Sequence, residues 1–447
     1  MTPPDTPTAD SPAQRFTAPG AWRDGLRYGL LGLPLAFVAL PLYVVLPNHY
    51  ARAFAVPLAA LGGVLLAARL FDAVLDPWIG RWCDRLFARS HRAVLGASGA
   101  AAVALALGLW GLLFPPAALR ADTGLLLVWA GVVMALTYTA YSVVSVAHQT
   151  WGARLGGNES QRSRVQAWRE GLALVGVLVA AVLPTLAGLA VTVAAFATLL
   201  ALGWWVWCSA VQPAPGTAPT ASPAASPWRE PRFVRLLLVF VVNGTASAIP
   251  ATLVLFFVQD RLQVDAAMEP AFLATYFLCA ALSLPLWVRL VPRLGLARTW
   301  LAGMLLAVAV FVWTSTLGTG DVWPFLAVCA LSGLALGTDL ALPGALLTGL
   351  MDDLGERGRR EGAYLGWWNF ATKLNLALAA GLALPLLGLF GYAPGARDEA
   401  ALQTLTLAYG VLPCALKLLA AALLYALVIR STPDARTPPC LTRKALS

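Results

Sequence analysis

About a dozen stretches of this chain are long and apolar enough to cross a bilayer, and that feature leaves few folds open. They fall near 26–47, 55–78, 93–114, 124–147, 164–187, 189–211, 233–258, 268–290, 297–318, 322–350, 362–390 and 404–429. A hydrocarbon core about 30 Å thick needs roughly 20 consecutive apolar residues of helix. Lipid offers backbone groups no partner, so a spanning chain must form helices or a closed barrel. Tracts of alternating hydrophobicity, which a barrel requires, are missing. The reading is therefore an all-α integral membrane protein with twelve transmembrane helices. Composition agrees: charged residues are 12% of the 447 positions, against about 25% in soluble domains.

The formal net charge of +9 would suggest a polyanionic partner in a soluble protein. Its distribution argues for topology instead. With the N-terminus in the cytoplasm, sixteen arginines, from Arg81 to Arg360, fall on inner loops, and only Arg52, Arg120, Arg261 and Arg397 on outer ones. This is the positive-inside pattern. It predicts both termini in the cytoplasm and a multi-pass protein of the cell's inner (plasma) membrane, with the lipid bilayer as partner and no nucleic acid. The six cysteines show no CxxC spacing, which suggests neither a disulfide framework nor a zinc site. Residues 1–21 are polar and rich in Pro, Thr and Ala. They lack the features of a signal peptide and read as a disordered cytoplasmic tail.

A Pro-, Ala-, Ser- and Thr-rich run at 213–231 cannot bury enough surface to fold. Six spans precede it and six follow. The chain divides into a six-helix bundle at 22–211, a cytoplasmic linker at 212–232, a second bundle at 233–430 and a cytoplasmic tail at 431–447. Two bundles joined in this way are the organisation of major facilitator carriers.

The sequence RLFDAVLDPWIGRWCDR, Arg69 to Arg85, places Asp72 and Asp76 inside the second span. Each costs about 2.5–3.5 kcal/mol near the bilayer centre on insertion scales. At i, i+4 they share one helix face about 6 Å apart, where they can hold a cation between them. Arg69, one turn earlier, offers Asp72 a structural partner instead. Span 4 carries a polar stripe of Tyr138, Tyr141, Ser142, Ser145, His148 and Gln149. Span 11 carries Gly362, Gly366, Asn369, Lys373, Ala377 and Gly381. Polar stripes at helical spacing point away from lipid, toward a cavity or toward helix–helix hydrogen bonds. Lysine is scarce: Lys373, Lys417 and Lys444 are the only three among 31 basic residues. Asp339, in span 10, either lines a cavity or pairs with a basic neighbour. Lys417 is read as snorkelling near the outer end of span 12, and His148 as a hydrogen-bonded structural residue. Glu170 adjoins Arg169 but projects about 100° away, toward a different helix. Asp84, with arginines around it after span 2, is either a gate or a topology anchor.

These segments resemble the glycoside–pentoside–hexuronide:cation symporters, the major facilitator group that includes melibiose permease. The likeness covers 22–430. It rests on the span 2 sequence, on TWGARLGGNESQRSRVQAWREG at 150–171 and on GAYLGWWNFATKLNLALAAG at 362–381. The resemblance implies that Asp72 and Asp76 bind the coupling cation. It implies that Arg169 and Lys373 lie near the solute. Two departures weaken a galactoside site. Span 1 is apolar where melibiose permease has a Lys-Asp pair, and Ser142 stands where it has a carboxylate. The lost carboxylate leaves H⁺ more open against Na⁺.

The expected function is a secondary active transporter, a cation (H⁺ or Na⁺)-coupled symporter of a sugar-like or other small organic solute. It needs no cofactor beyond the coupling ion, no metal other than Na⁺ at Asp72 and Asp76, and no obligate protein partner. Tyr138, Ser142, Arg169, Asn369, Lys373 and Asp339 are the candidates for solute binding or gating. A carrier of amphipathic solute or lysolipid and a non-transporting membrane receptor are the alternatives. No catalytic motif is visible, so an enzyme is not expected.

Overall fold

The computed structural model describes residues 11–213, 226–265, 268–392 and 395–430. Among them eight helices are long and apolar enough to cross a membrane. One of these, Glu159–Trp207, is 49 residues long and breaks at Gly188, where φ is 78° and ψ 172°. Only glycine adopts such a backbone without strain. The chain reverses there. Trp207 returns to the level of Trp151, with ring centroids 5.2 Å apart, and the Trp151 indole donates to the Val211 carbonyl at 2.9 Å.

Counting the two legs separately gives twelve helical segments. The first, α1 (21–53), is built from the pieces Ala21–Gly29, Gly32–Phe37 and Leu46–Ala53 with a π-helical turn at Pro41–Val45. Then follow α2 (Leu58–Arg89), α3 (His91–Leu113), α4 (Thr123–Arg154), α5 (159–187) and α6 (189–207). The second half holds α7 (Pro231–Leu262), α8 (Glu269–Leu294), α9 (Leu296–Thr316), α10 (Val322–Asp353), α11 (Glu361–Leu389) and α12 (Glu399–Ile429). Apolar runs alone do not place helix ends; capping side chains do. Ser90 caps α3, Asp122 caps α4, Asn158 and Gln161 form a capping box on α5, and Asp398 caps α12. Each satisfies backbone N–H groups that helix geometry leaves without acceptors.

Buried side chains separate by half. One core runs from Ala13 to Val211. Two others belong mainly to residues after 232, with only Ala153 and Leu174 joining from the first half. Glycines set the closest approaches within and between the halves. A Cβ on Gly176 would collide with the Leu33 carbonyl, which locks α5 to α1. A Cβ on Gly80 would strike the Gly362 carbonyl, and one on Gly366 the Asp76 carbonyl. Here α2 and α11, from opposite halves, touch backbone to backbone.

The arginine-rich ends of the two halves are bound together. Asp84 on α2 accepts from the Gly362 and Ala363 amides at 2.8 and 2.9 Å, at the N-terminus of α11. Buried Arg154 lies 3.2 Å from Asp84 and 3.1 Å from Glu361. Arg162 meets Asp352 at 3.0 Å, Arg357 donates to the Leu155 carbonyl at 2.9 Å, and the Leu296 amide donates to Glu159 at 3.0 Å. At the other end, Arg261–Glu399 and Arg397–Asp260 stay within the second half. The halves are closed at the arginine-rich face.

Two expectations need correction. The tail expected to be disordered over 1–21 is ordered in its described part. Pro12–Phe16 forms a 3₁₀ turn with Ala13 and Phe16 buried. The Ser11 hydroxyl donates to the Leu155 carbonyl, and the Phe16 ring sits edge-on to Tyr28 at 6.2 Å. One aromatic anchor offsets the polar composition around it. The linker expectation falls mostly at 214–225, outside the described residues. Its last residues are structured: Pro227 is buried and Trp228 packs against Trp367 at 5.1 Å.

Two outcomes follow. Gly176→Leu is expected to destabilise the detergent-solubilised protein by about 1–3 kcal/mol through overpacking. Gly96→Leu, at an exposed position where an added Cβ meets nothing within 4 Å, should leave the thermal midpoint unchanged. Asp84→Asn removes a charged acceptor worth about 1.5–3 kcal/mol from the closed face. Alkylation of Cys83, which is fully buried beside it, should then speed up by about tenfold or more.

Candidate functional site

The α2–α11 crossing brings together side chains that the sequence singled out separately. α2 and α11 run antiparallel, and helical side chains lean toward their own N-terminus. Lys373 on α11 therefore reaches back toward Gly366 and the α2 carboxylates. Its Nζ lies 2.6 Å from Asp72 Oδ2 and 2.7 Å from Asp76 Oδ2. It also donates to the Ser142 hydroxyl of α4 at 3.0 Å, and Ser142 donates to Asp72 Oδ1 at 2.8 Å. Asp76 is 0% exposed, Asp72 3%, and the Lys373 side chain 22%.

Charge and hydrogen-bond counts distinguish the two aspartates. Both oxygens of Asp72 have partners. Those of Asp76 accept no well-directed hydrogen bond, although the ammonium lies close to Oδ2. With both carboxylates ionised, the cluster is one cation short of neutral. A buried unpaired charge is costly, and this arrangement leaves one at Asp76 when both carboxylates are ionised. Among the described residues no group of three or more His, Cys, Asp and Glu is placed to hold a metal. Carboxylate and hydroxyl oxygens here suit a proton or a hard monovalent ion.

The other candidates fall around this cluster or away from it. Lys373 pairs with Asp72, and Arg69 lies next to the Tyr138 hydroxyl. Tyr138 is buried, and Asn369, one turn before Lys373 on the same face, is half-buried. Arg169 sits against Gly32 of α1 and pairs with its neighbour Glu170. That corrects the expectation of a separate partner for Glu170, because two long side chains curl together where the backbone directions diverge. His148 is fully buried, with Nε2 2.8 Å from the Tyr28 carbonyl and its ring 4.5 Å from that of Tyr28.

Asp339 lies apart, wholly within the second half, paired at 2.7 Å with Lys417. Lys417 is 9% exposed and mid-helix in α12, so the snorkelling expectation is wrong. A lysine that far from either helix end stays in the bundle only with a carboxylate to meet it. Hydropathy gave no sign of that pairing, since the two residues are 78 positions apart.

Known proteins provide an independent comparison. A family model described as MFS/sugar transport protein matches residues 27–431. An uncharacterized symporter, YjmB of Bacillus subtilis, is 24% identical over 416 residues, covering 86% of this chain and 88% of that protein. Among solved structures, a bacterial homologue of the iron transporter ferroportin in an outward-facing state aligns with a TM-score of 0.67 at 15% identity. It covers 90% of this chain and 99% of that one. The E. coli fucose:proton symporter aligns at 0.63 with 16% identity over 91% and 98%. The human organic anion transporter MFSD10 aligns at 0.60 with 18% identity over 93% and 100%. These likenesses fix the major facilitator fold. The match over nearly the whole length shows that the chain belongs to the MFS/sugar transport protein family, and that it is a multi-pass secondary transporter, not an enzyme.

Proposed function

We propose that the protein is a cation-coupled symporter of a sugar-like solute, working by alternating access, with Asp72 and Asp76 as the coupling site. The observation that supports this reading is the charge of the buried cluster: two carboxylates from one half share a single lysine from the other. A rigid structural pair would be neutral. This one calls for an additional cation. The family description and the fucose:proton symporter among its structural neighbours agree with a sugar-like cargo.

The geometry also suggests how cation and solute movements are linked. Lys373 tethers α11 to α2 near the middle of the molecule, and the halves must separate at their closed face for the solute to leave. A proton on one carboxylate, or Na⁺ beside Asp76, competes with Lys373 for negative charge and weakens that tether. Tyr138 and Asn369, near the cluster, and Arg169 on α5 are the groups we assign to solute contact. On the positive-inside rule, the closed arginine-rich face is cytoplasmic, both termini lie there, and the structure is outward-facing in the inner membrane. Coupling is energetically adequate. One charge moved through 100 mV supplies about 2.3 kcal/mol, roughly a 50-fold solute gradient.

Asp76→Asn leaves one carboxylate facing one lysine, a neutral pair that asks for no further cation. It is expected to abolish uptake against a gradient while sparing insertion and solute exchange between equal pools. Proteoliposomes with imposed H⁺ or Na⁺ gradients measure this directly. Accumulation to the wild-type ratio in Asp76→Asn would place coupling elsewhere. Lys373→Gln makes the opposite change, leaving two carboxylates and no internal cation. Its thermal stability should depend on added Na⁺ or on lowered pH more steeply than that of the wild type.

A further inference from the structure

The second half contains a charged cluster and a cavity that the coupling site does not use. Asp339 Oδ1 accepts from Asn243 at 3.0 Å and from the Trp300 indole at 2.8 Å. Asp339 Oδ2 accepts from Ser247 at 3.3 Å and from Lys417 at 2.7 Å. A carboxylate offers about four lone-pair sites, and all four are taken. Lys417 has three N–H donors. One goes to Asp339 and one to the Ser247 hydroxyl at 2.8 Å, which leaves the third without a partner among the described residues.

Lys417 lines a cavity of about 310 Å³ whose other walls are mostly apolar, including Phe272, Phe277, Phe311, Phe325 and Val328. That volume is at the small end of ligand pockets, about 300–1,000 Å³. Every wall comes from α7–α10 and α12. A pocket walled by one half moves with that half as a unit when the halves rock. It is thus a different site from one lying between the halves.

Charge and donor counts select the ligand. An organic cation finds Asp339 already saturated. An organic anion would give a neutral ion pair a net charge of −1 among apolar walls, at a large desolvation cost. What remains is the third N–H of Lys417, with the hydroxyl-bearing Tyr276 and Tyr409 also on the wall, in a largely apolar chamber. The geometry points to a ligand site for a compact, uncharged, largely apolar molecule carrying one hydrogen-bond acceptor, a carbonyl or hydroxyl oxygen, that takes the free N–H of Lys417. The occupant reaches it from the aqueous side as a small aromatic solute, or from the bilayer as a lipid-dissolved one.

Fluorine NMR of the full chain in nanodiscs tests this with three isosteric probes: 4′-fluoroacetophenone, 4-fluorobenzoate and 4-fluorobenzylamine. Empty nanodiscs supply the partitioning baseline. The ketone should show saturable broadening and the two charged analogues none. A version of the ketone with a long acyl chain distinguishes the sources: competition by it indicates entry from the membrane, and its failure to compete indicates entry from water. Ala307→Phe fills the cavity and keeps the ion pair. The double variant Lys417→Met/Asp339→Leu removes donor and counter-ion together, so no buried charge is orphaned. Each should weaken ketone binding by at least about tenfold, the worth of one charge-assisted hydrogen bond or more. Equal or tighter binding of the amine or the acid, ketone binding undiminished in both variants, or no saturable ketone signal would overturn the assignment.

Discussion

One ammonium shared by two carboxylates across the boundary between the halves is the interaction on which the rest of the structure depends. Burying Asp72 and Asp76 is affordable only with a cation between them, and that cation belongs to the other half. The sharing requires α2 and α11 to approach more closely than side chains permit, which is why Gly80, Gly362 and Gly366 line the crossing. It also requires α11 to be held at its start. Asp84 does this by accepting from the first free amides of the helix, where the helix dipole favours a negative charge. The proposed coupling site and the closed face thus lie along the same pair of helices, α2 and α11.

The two buried lysines show how charge is treated differently between and within the halves. Lys417 and Asp339 form a neutral pair whose carboxylate is saturated by Asn243, Trp300 and Ser247, with one N–H of the lysine left over. Such a pair lies wholly inside one bundle. Lys373 meets an incomplete set, with Asp76 lacking directed donors. Incompleteness is a poor device for stability, but it is what a binding site for a small cation needs.

Hydropathy made the spans legible because burying backbone in lipid allows little else, and even the turn at Gly188 falls between two of the runs read from the sequence. Asp72, Asp76, Ser142 and Lys373 were each conspicuous as polar residues at membrane depth. Their meeting was not legible, since α2, α4 and α11 are brought together by tertiary packing over sequence separations of 70 to 301 residues. Lys417 was misplaced for the same reason: a lysine in an apolar helix reads as snorkelling until its carboxylate is found on another helix. Phe16 was hidden by its surroundings, because composition averages over a tail in which one ring does the anchoring. Glu170 was assigned by backbone direction alone, which the length of two adjacent charged side chains overrides.

Ser142 has a consequence that follows from charge arithmetic alone. With a carboxylate at that position, the cluster would carry three negative charges against one lysine and would need two cations to reach neutrality. The serine contributes a hydroxyl that bonds to both Asp72 and Lys373 without adding charge, so a single cation suffices. It also leaves the cage one oxygen atom poorer than a carboxylate would. A bare Na⁺ needs several oxygen ligands to replace its hydration shell, whereas a proton needs one carboxylate and one acceptor. For the proposed coupling, a serine here lowers the cation requirement to one and favours a proton over a metal ion.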